Sequence, residues 1–191
     1  MSVASSGEFL THYYRPHSRP FLSLSPLSDA EVAAVLGTLA GFEPLPFRLT
    51  HPSYLTERRR IEERMHELFL AKGGRPERRH PHYFVLGEFS LWESDGSRKV
   101  QIPLPRLPAA LLSFTFTDSF FNFRAKNLRG VSIPRRPYHG QLFTREELPG
   151  AIRDHGLPGE AWRTDPERRF DVYVEAQLWG DEPVAAFLGS G

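Results

Sequence analysis

The sequence predicts an α+β fold, with about three helices packed on a mostly antiparallel sheet of about six strands. Two observations carry this. Apolar stripes of helical period occupy residues 28–40 and 53–72, whereas strand-like runs with period-two alternation take over from residue 82 onward. The strand-like runs are joined mainly by short, turn-rich connectors, which argues against a doubly wound parallel sheet. At 191 residues the chain suits one well-cored domain, expected over residues 8–191 behind a disordered tail at 1–7.

Taken in order, Phe9–Tyr14 reads as a short strand stopped by Pro16. Ser28 and Glu31 form a capping box, with Leu27 and Val32 placed to staple across it. The helix it opens runs to about Ala40, carries Val32, Val35, Leu36 and Leu39 on one face, and stops at Gly41. Residues 42–52 hold three prolines and read as a connector. A second helix spans about 53–72 with an apolar stripe of Leu55, Ile61, Met65, Leu68 and Phe69, and Gly73-Gly74 ends it. Its Arg58-Arg59-Arg60 run alternates with glutamates at i+4 and reads as a solvated face.

The segment Arg75–Gly87 joins the helical part to the sheet. His82–Phe89 reads as a core strand, and Ser94–Ser97 as the hairpin turn returning into Arg98–Leu104. In Leu111–Asp118, Leu112, Phe114 and Phe116 face one way and Ser113, Thr115 and Thr117 the other. Phe120–Pro137 is expected to be a long loop. Tyr138–Phe143 reads as a strand, followed by a helix opening at Thr144 that has to accommodate Pro149. Phe170–Trp179 is the last strand, with Asp171, Tyr173, Glu175, Gln177 and Trp179 on one face.

Composition narrows the chemistry. The chain has no cysteine, which removes disulfides, thiolate catalysis and Cys-ligated metal centres, and suits a reducing compartment. The N-terminus lacks the features of a signal peptide, and no apolar run approaches the ~20 residues that span a bilayer, so a cytoplasmic protein with no membrane partner is expected. Net charge is +1, yet residues 120–144 hold five basic residues (Arg124, Lys126, Arg129, Arg135 and Arg136) and no acid. Together with Phe120, Phe121, Phe123 and Tyr138 they make a mix used to grip nucleic acid. The alternative is a surface loop whose phenylalanines pack onto the core.

Phosphate-loop, H-E-x-x-H and G-x-S-x-G motifs are absent. His80 and His82 fit either a histidine pair at a strand entry or part of a metal site, for which no third ligand is recognisable. Asp118 either caps the following segment or joins a site. Glu175 is an ordinary surface carboxylate if its face meets solvent, and an electrostatic stabiliser or general base if that face lines a cleft.

Three stretches follow an order resembling that of the ADP-ribosyltransferase superfamily, in particular the branch that modifies DNA bases using NAD. They are Leu10-Thr11-His12-Tyr13-Tyr14, Ser113-Phe114-Thr115-Phe116-Thr117-Asp118-Ser119 and Tyr173-Val174-Glu175-Ala176-Gln177. Tyr13 stands where that family often has a small or hydroxyl residue. The resemblance implies that Glu175 is catalytic, stabilising the sugar cation as nicotinamide leaves or accepting a proton. It implies that His12 and an arginine (Arg15 or Arg48) hold the ribose and phosphates of NAD, and that Tyr13 or Tyr14 stacks on the nicotinamide. The basic segment at 120–137 would then face an anionic macromolecule. The chain also resembles, in general look, a bacterial protein family that carries no assigned function. Two other readings stand beside the transferase: a non-enzymatic module gripping nucleic acid or an acidic protein through the basic aromatic segment, and a hydrolase using His80, His82 and Asp118.

Overall fold

A computed structural model describes residues 8–42, 45, 49, 51, 53–124, 135–158, 164–165, 168 and 171–188. Six strands form one sheet: β1 (Phe9–Tyr14), β2 (His82–Leu86), β3 (Arg98–Pro103), β4 (Leu112–Phe116), β5 (Phe143–Thr144) and β6 (Val174–Leu178). The strand pairings among the described residues are all antiparallel, in the order β3-β1-β2-β6-β4-β5. Six helices accompany them among the described residues, rather than three: α1 (Asp29–Ala40), α2 (Tyr54–Ala71), α3 (Ser90–Ser94), α4 (Ser119–Arg124), α5 (Leu148–His155) and α6 (Ala185–Leu188).

The extra helices are short pieces where loops or turns are expected. No hairpin joins β2 to β3. Gly87, at φ 75°, turns the chain out of β2, α3 follows, and β1 pairs with both β2 and β3. Residues 119–124 are helical instead of looped because Asp118 caps them, its Oδ1 accepting from the Phe121 amide at 3.0 Å. The expected tail at 1–7, and Lys126 and Arg129 within the expected loop, lie outside the described residues. Thr144 and Glu147 do exchange reciprocal hydrogen bonds, but one turn ahead of α5. Pro149 falls in the first turn of α5, where its missing N–H is harmless.

The sheet is covered on both faces, which is why β4 and β6 are buried at every position. One face is apolar: Leu10, Phe84, Leu86, Phe114, Phe116, Ala176 and Leu178 pack under Phe21, Leu148, Ala151 and Val184. The opposite face carries, in register across four strands, Thr11, Val85, Glu175 and Thr115. The next row is Tyr83, Gln177, Ser113 and Thr144. Helix α2 lies on this polar face through Ile61, Met65 and Phe69, which pack with Trp179; Phe120 and Phe123 of α4 join them. The capping box at Ser28 and Glu31 forms as expected, but the apolar residues of α1 are only half-buried.

A buried carboxylate network under helix α2

On α2, residues 58, 62, 65 and 69 recur at spacings of four, three and four, so they share one face of the helix. Met65 and Phe69 fill that face with apolar volume, and Arg58 and Glu62 continue it with charge. Arg58 is therefore 9% exposed and Glu62 1%, not part of a solvated face. Such burial demands partners. Arg58 Nε donates to Glu62 Oε1 at 3.1 Å, and its Nη1 donates to Ser119 Oγ at 3.1 Å. The guanidinium lies 4.0 Å over the Tyr83 ring. Tyr83 donates its hydroxyl to Glu62 Oε1 at 2.8 Å, and His80 donates from Nδ1 to Glu62 Oε2 at 2.7 Å. Although burial works the other way, the bond from His80 and the charge of Arg58 hold Glu62 below its ordinary value.

Glu175 sits in the middle of β6 beneath this helix. Its Oε1 accepts from the Ser119 amide at 3.3 Å and from Gln177 Nε2 at 3.0 Å. Gln177 is itself held by Ser113 and Thr115, and Ser113 by the indole of Trp179. Glu175 Oε2 has no hydrogen-bond partner among the described residues. Burial first, and the neighbouring charge of Asp118 second, push the Glu175 carboxyl up to about 7 against the pull of Arg58. Asp118 is half-buried and accepts the Tyr173 hydroxyl at 3.1 Å. The Tyr173 ring packs with Phe89 and Trp92 at centroid separations of 5.1 and 5.2 Å, and Tyr13 joins the cluster against Trp92 at 5.5 Å.

The turn that presents Asp118 and Ser119 is strained. Thr117 is β-branched and fully buried, and it stands at φ 71° in the left-handed region. Such a residue costs on the order of 1–3 kcal/mol and persists only where its surroundings over-determine it. Here Thr115 donates to the Thr117 carbonyl, and the Thr117 amide donates to the Tyr173 carbonyl.

Protein-family models, curated proteins and solved structures contain no match to this chain.

The residues expected to form a nicotinamide-nucleotide site are divided between the two faces of the sheet. His12 and Tyr14 share the face of Leu10, opposite to Glu175. The rings of His12 and Phe21 stack at 4.1 Å, and those of His12 and Tyr14 at 6.1 Å. Both nitrogens of His12 are committed to backbone: Nδ1 donates to the Tyr83 carbonyl at 2.8 Å and Nε2 accepts from the Phe21 amide at 2.9 Å. Burial lowers His12 to about 4. Arg15 pairs with Asp95 at the other end of the β1–β3 edge. Of the strand residues in that group, Tyr13 stands on the Glu175 side; Arg48 lies outside the described residues.

Among the basic residues, Arg124 is bound to Glu57 at 2.7 Å and lies over the Phe120 ring. Arg135 is exposed and Arg136 half-buried. Phe120 and Phe123, both partly buried, pack onto the α2 cluster, as the surface-loop alternative expects of its phenylalanines. His80 and His82 do not converge on Asp118: His80 turns to Glu62 on α2, and His82 to Asp181 and the edge of Phe21. No cluster of three or more His, Asp or Glu that fits a metal ion occurs among the described residues. Two surface grooves, of about 490 and 410 Å³, run along the charged flanks of α2, and neither is lined by Glu175 or Asp118.

Arg58, Glu62, Tyr83 and Ser119 escape a reading that assigns charged helix residues to solvent. The signal for the first two is arithmetic: they are spaced in phase with Met65 and Phe69.

Proposed function

We propose that this protein is an enzyme in which Glu175 exchanges a proton with a substrate bound beside Asp118. One observation carries this reading. Glu175 is a 5% exposed carboxyl with one oxygen pinned by two N–H donors, the other without a partner among the described residues, and a second carboxylate on the neighbouring turn. A carboxyl group poised near neutrality beside a second acid is suited to general acid–base work, which contributes on the order of 10²–10⁴ in rate. Since Oε1 accepts two hydrogen bonds, Oε2 is the oxygen that exchanges the proton; with NAD, whose nicotinamide leaves as a neutral base, that proton comes from the incoming group.

The reaction class that such a pair fits is cleavage or transfer at an acetal-type sugar carbon. There one carboxyl protonates the departing group or deprotonates the incoming one, and the other stabilises positive charge on the ring. NAD enters as the sugar donor through the sequence resemblance, with Tyr13 and the Tyr173–Trp92 cluster as the adjoining aromatic surface. His12, Tyr14 and Arg15 have no part in this version.

The test is nicotinamide release from NAD by the wild type and by Glu175→Gln. The expected result is a loss of at least about a hundredfold in kcat with KM changed by a small factor. A pH-rate limb near 7 should be present in the wild type and absent from any residual activity. Full activity in Glu175→Gln removes the acid–base reading. Absence of both nicotinamide release and any melting-temperature shift at millimolar NAD removes NAD.

A further inference from the structure

Arg58 is chemically over-committed for a residue that only fills space. Its Nε is engaged by Glu62, Nη1 by Ser119 Oγ, and its flat face by the Tyr83 ring. Ser119 is the residue whose backbone N–H reaches Glu175 Oε1, and it follows directly on the left-handed Thr117 and on Asp118. The turn is therefore anchored at Asp118 by Tyr173 and at Ser119 by Arg58. Planar guanidinium geometry lets one side chain hold two acceptors in fixed directions, which the single ammonium of a lysine does not reproduce.

We infer that Arg58 is the positioning residue of this site: it clamps the 117–119 turn to helix α2 and thereby holds the Ser119 amide on Glu175 Oε1. The inference rests on the acid–base reading of Glu175, since it names the residue that holds the donor on Oε1 of that carboxyl in place. It identifies α2 as more than a lid, because the helix supplies the contact that orients the acid.

The charged and titratable groups that act on Glu175 are Arg58 of α2, Asp118 of the β4–α4 turn and Tyr83 of β2. Glu62 stands behind Arg58 and Tyr83, and Tyr173 behind Asp118. Arg58 acts on Glu175 by charge and by placement, and three variants separate the two. Arg58→Gln removes both. Arg58→Lys keeps the charge but not the fork. Ser119→Ala keeps the Arg58 charge and the Ser119 backbone N–H but cuts the clamp.

The readout is the titration midpoint of Glu175, followed by carbon-13 NMR of labelled glutamate carboxyls, with Glu175→Gln assigning the resonance. Arg58→Gln should raise the midpoint by one pH unit or more, and Arg58→Lys and Ser119→Ala should each raise it by about half as much. A midpoint in Ser119→Ala equal to wild type overturns the inference, as does full restoration by Arg58→Lys, which would leave charge as the whole effect. Should Arg58→Gln not fold, the other two variants decide. The titration needs no substrate, so it separates from the acid–base reading: loss of that reading shows as full activity in Glu175→Gln, whatever the midpoints do.

Discussion

Glu175 and His12 are both buried titratable groups, and they pull stability in opposite directions as pH changes. Glu175 holds its proton up to about 7 in the folded chain against an ordinary 4.5. Between those values the folded state binds more protons than the unfolded one, so its contribution to stability falls as pH rises. His12 stays neutral down to about 4 against an ordinary 6.5, so the unfolded state binds more protons in that window and stability falls as pH drops. The two windows overlap, which makes a single pH profile hard to read but a difference between variants easy. Glu175→Gln removes one term and leaves the other. Its stability relative to wild type, from urea unfolding, should improve by about 3 kcal/mol between pH 4.5 and pH 8. A pH-independent difference would mean that Glu175 ionises normally in the folded chain.

Helix α2 shows at the level of one element how packing and chemistry share a surface. Its C-terminal half buries Met65 and Phe69 against Trp179, and its N-terminal half places an ion pair on the same line of residues. A buried pair of this kind adds little net stability over an apolar substitute, yet removing one partner leaves an uncompensated charge, at a cost of roughly 3–5 kcal/mol. Arg58→Met alone should therefore lose about that much. Adding Glu62→Gln, which discharges the carboxylate but keeps an acceptor for the Tyr83 hydroxyl, should recover most of it. Additive losses in the double variant, measured by urea unfolding, would mean that Arg58 and Glu62 act independently. The pair thus makes better sense as a device for placing Ser119 than as a source of stability.

Across the whole molecule, the sheet divides an apolar layer from a polar one, and among the described residues its edges are β3 and β5. Edge strands invite pairing with other chains unless they are short or charged. β5 is two residues long. β3 carries exposed Arg98, Lys99, Gln101 and Pro103, with Lys99 held by Glu88 and Glu93. Lys99→Ile would replace the exposed cation of this edge with an apolar side chain, and should raise light scattering with protein concentration while leaving the melting temperature within a few degrees. Unchanged scattering would place protection of that edge elsewhere. No helix among the described residues is long and apolar enough to cross a membrane.

Local pattern was enough to read the α+β class, the capping box at Ser28, the alternation in Leu112–Phe116 and the grouping of Glu175 with Tyr173, Gln177 and Trp179. These follow from periodicity within one element, where neighbouring side chains obey geometry that the residue order alone specifies. Which faces meet is another matter. Whether the Ser/Thr/Glu/Gln face of β4 and β6 was solvent or interior depended on α2 lying across it. That docking also turned Arg58 and Glu62 from surface charge into the frame of the site. Likewise, His12 and Glu175 fall on opposite sides because β1 inserts between β2 and β3, pairing residues 74 to 94 positions apart in the chain. Contacts of that range are selected by the burial of whole layers, and no window of sequence contains both partners.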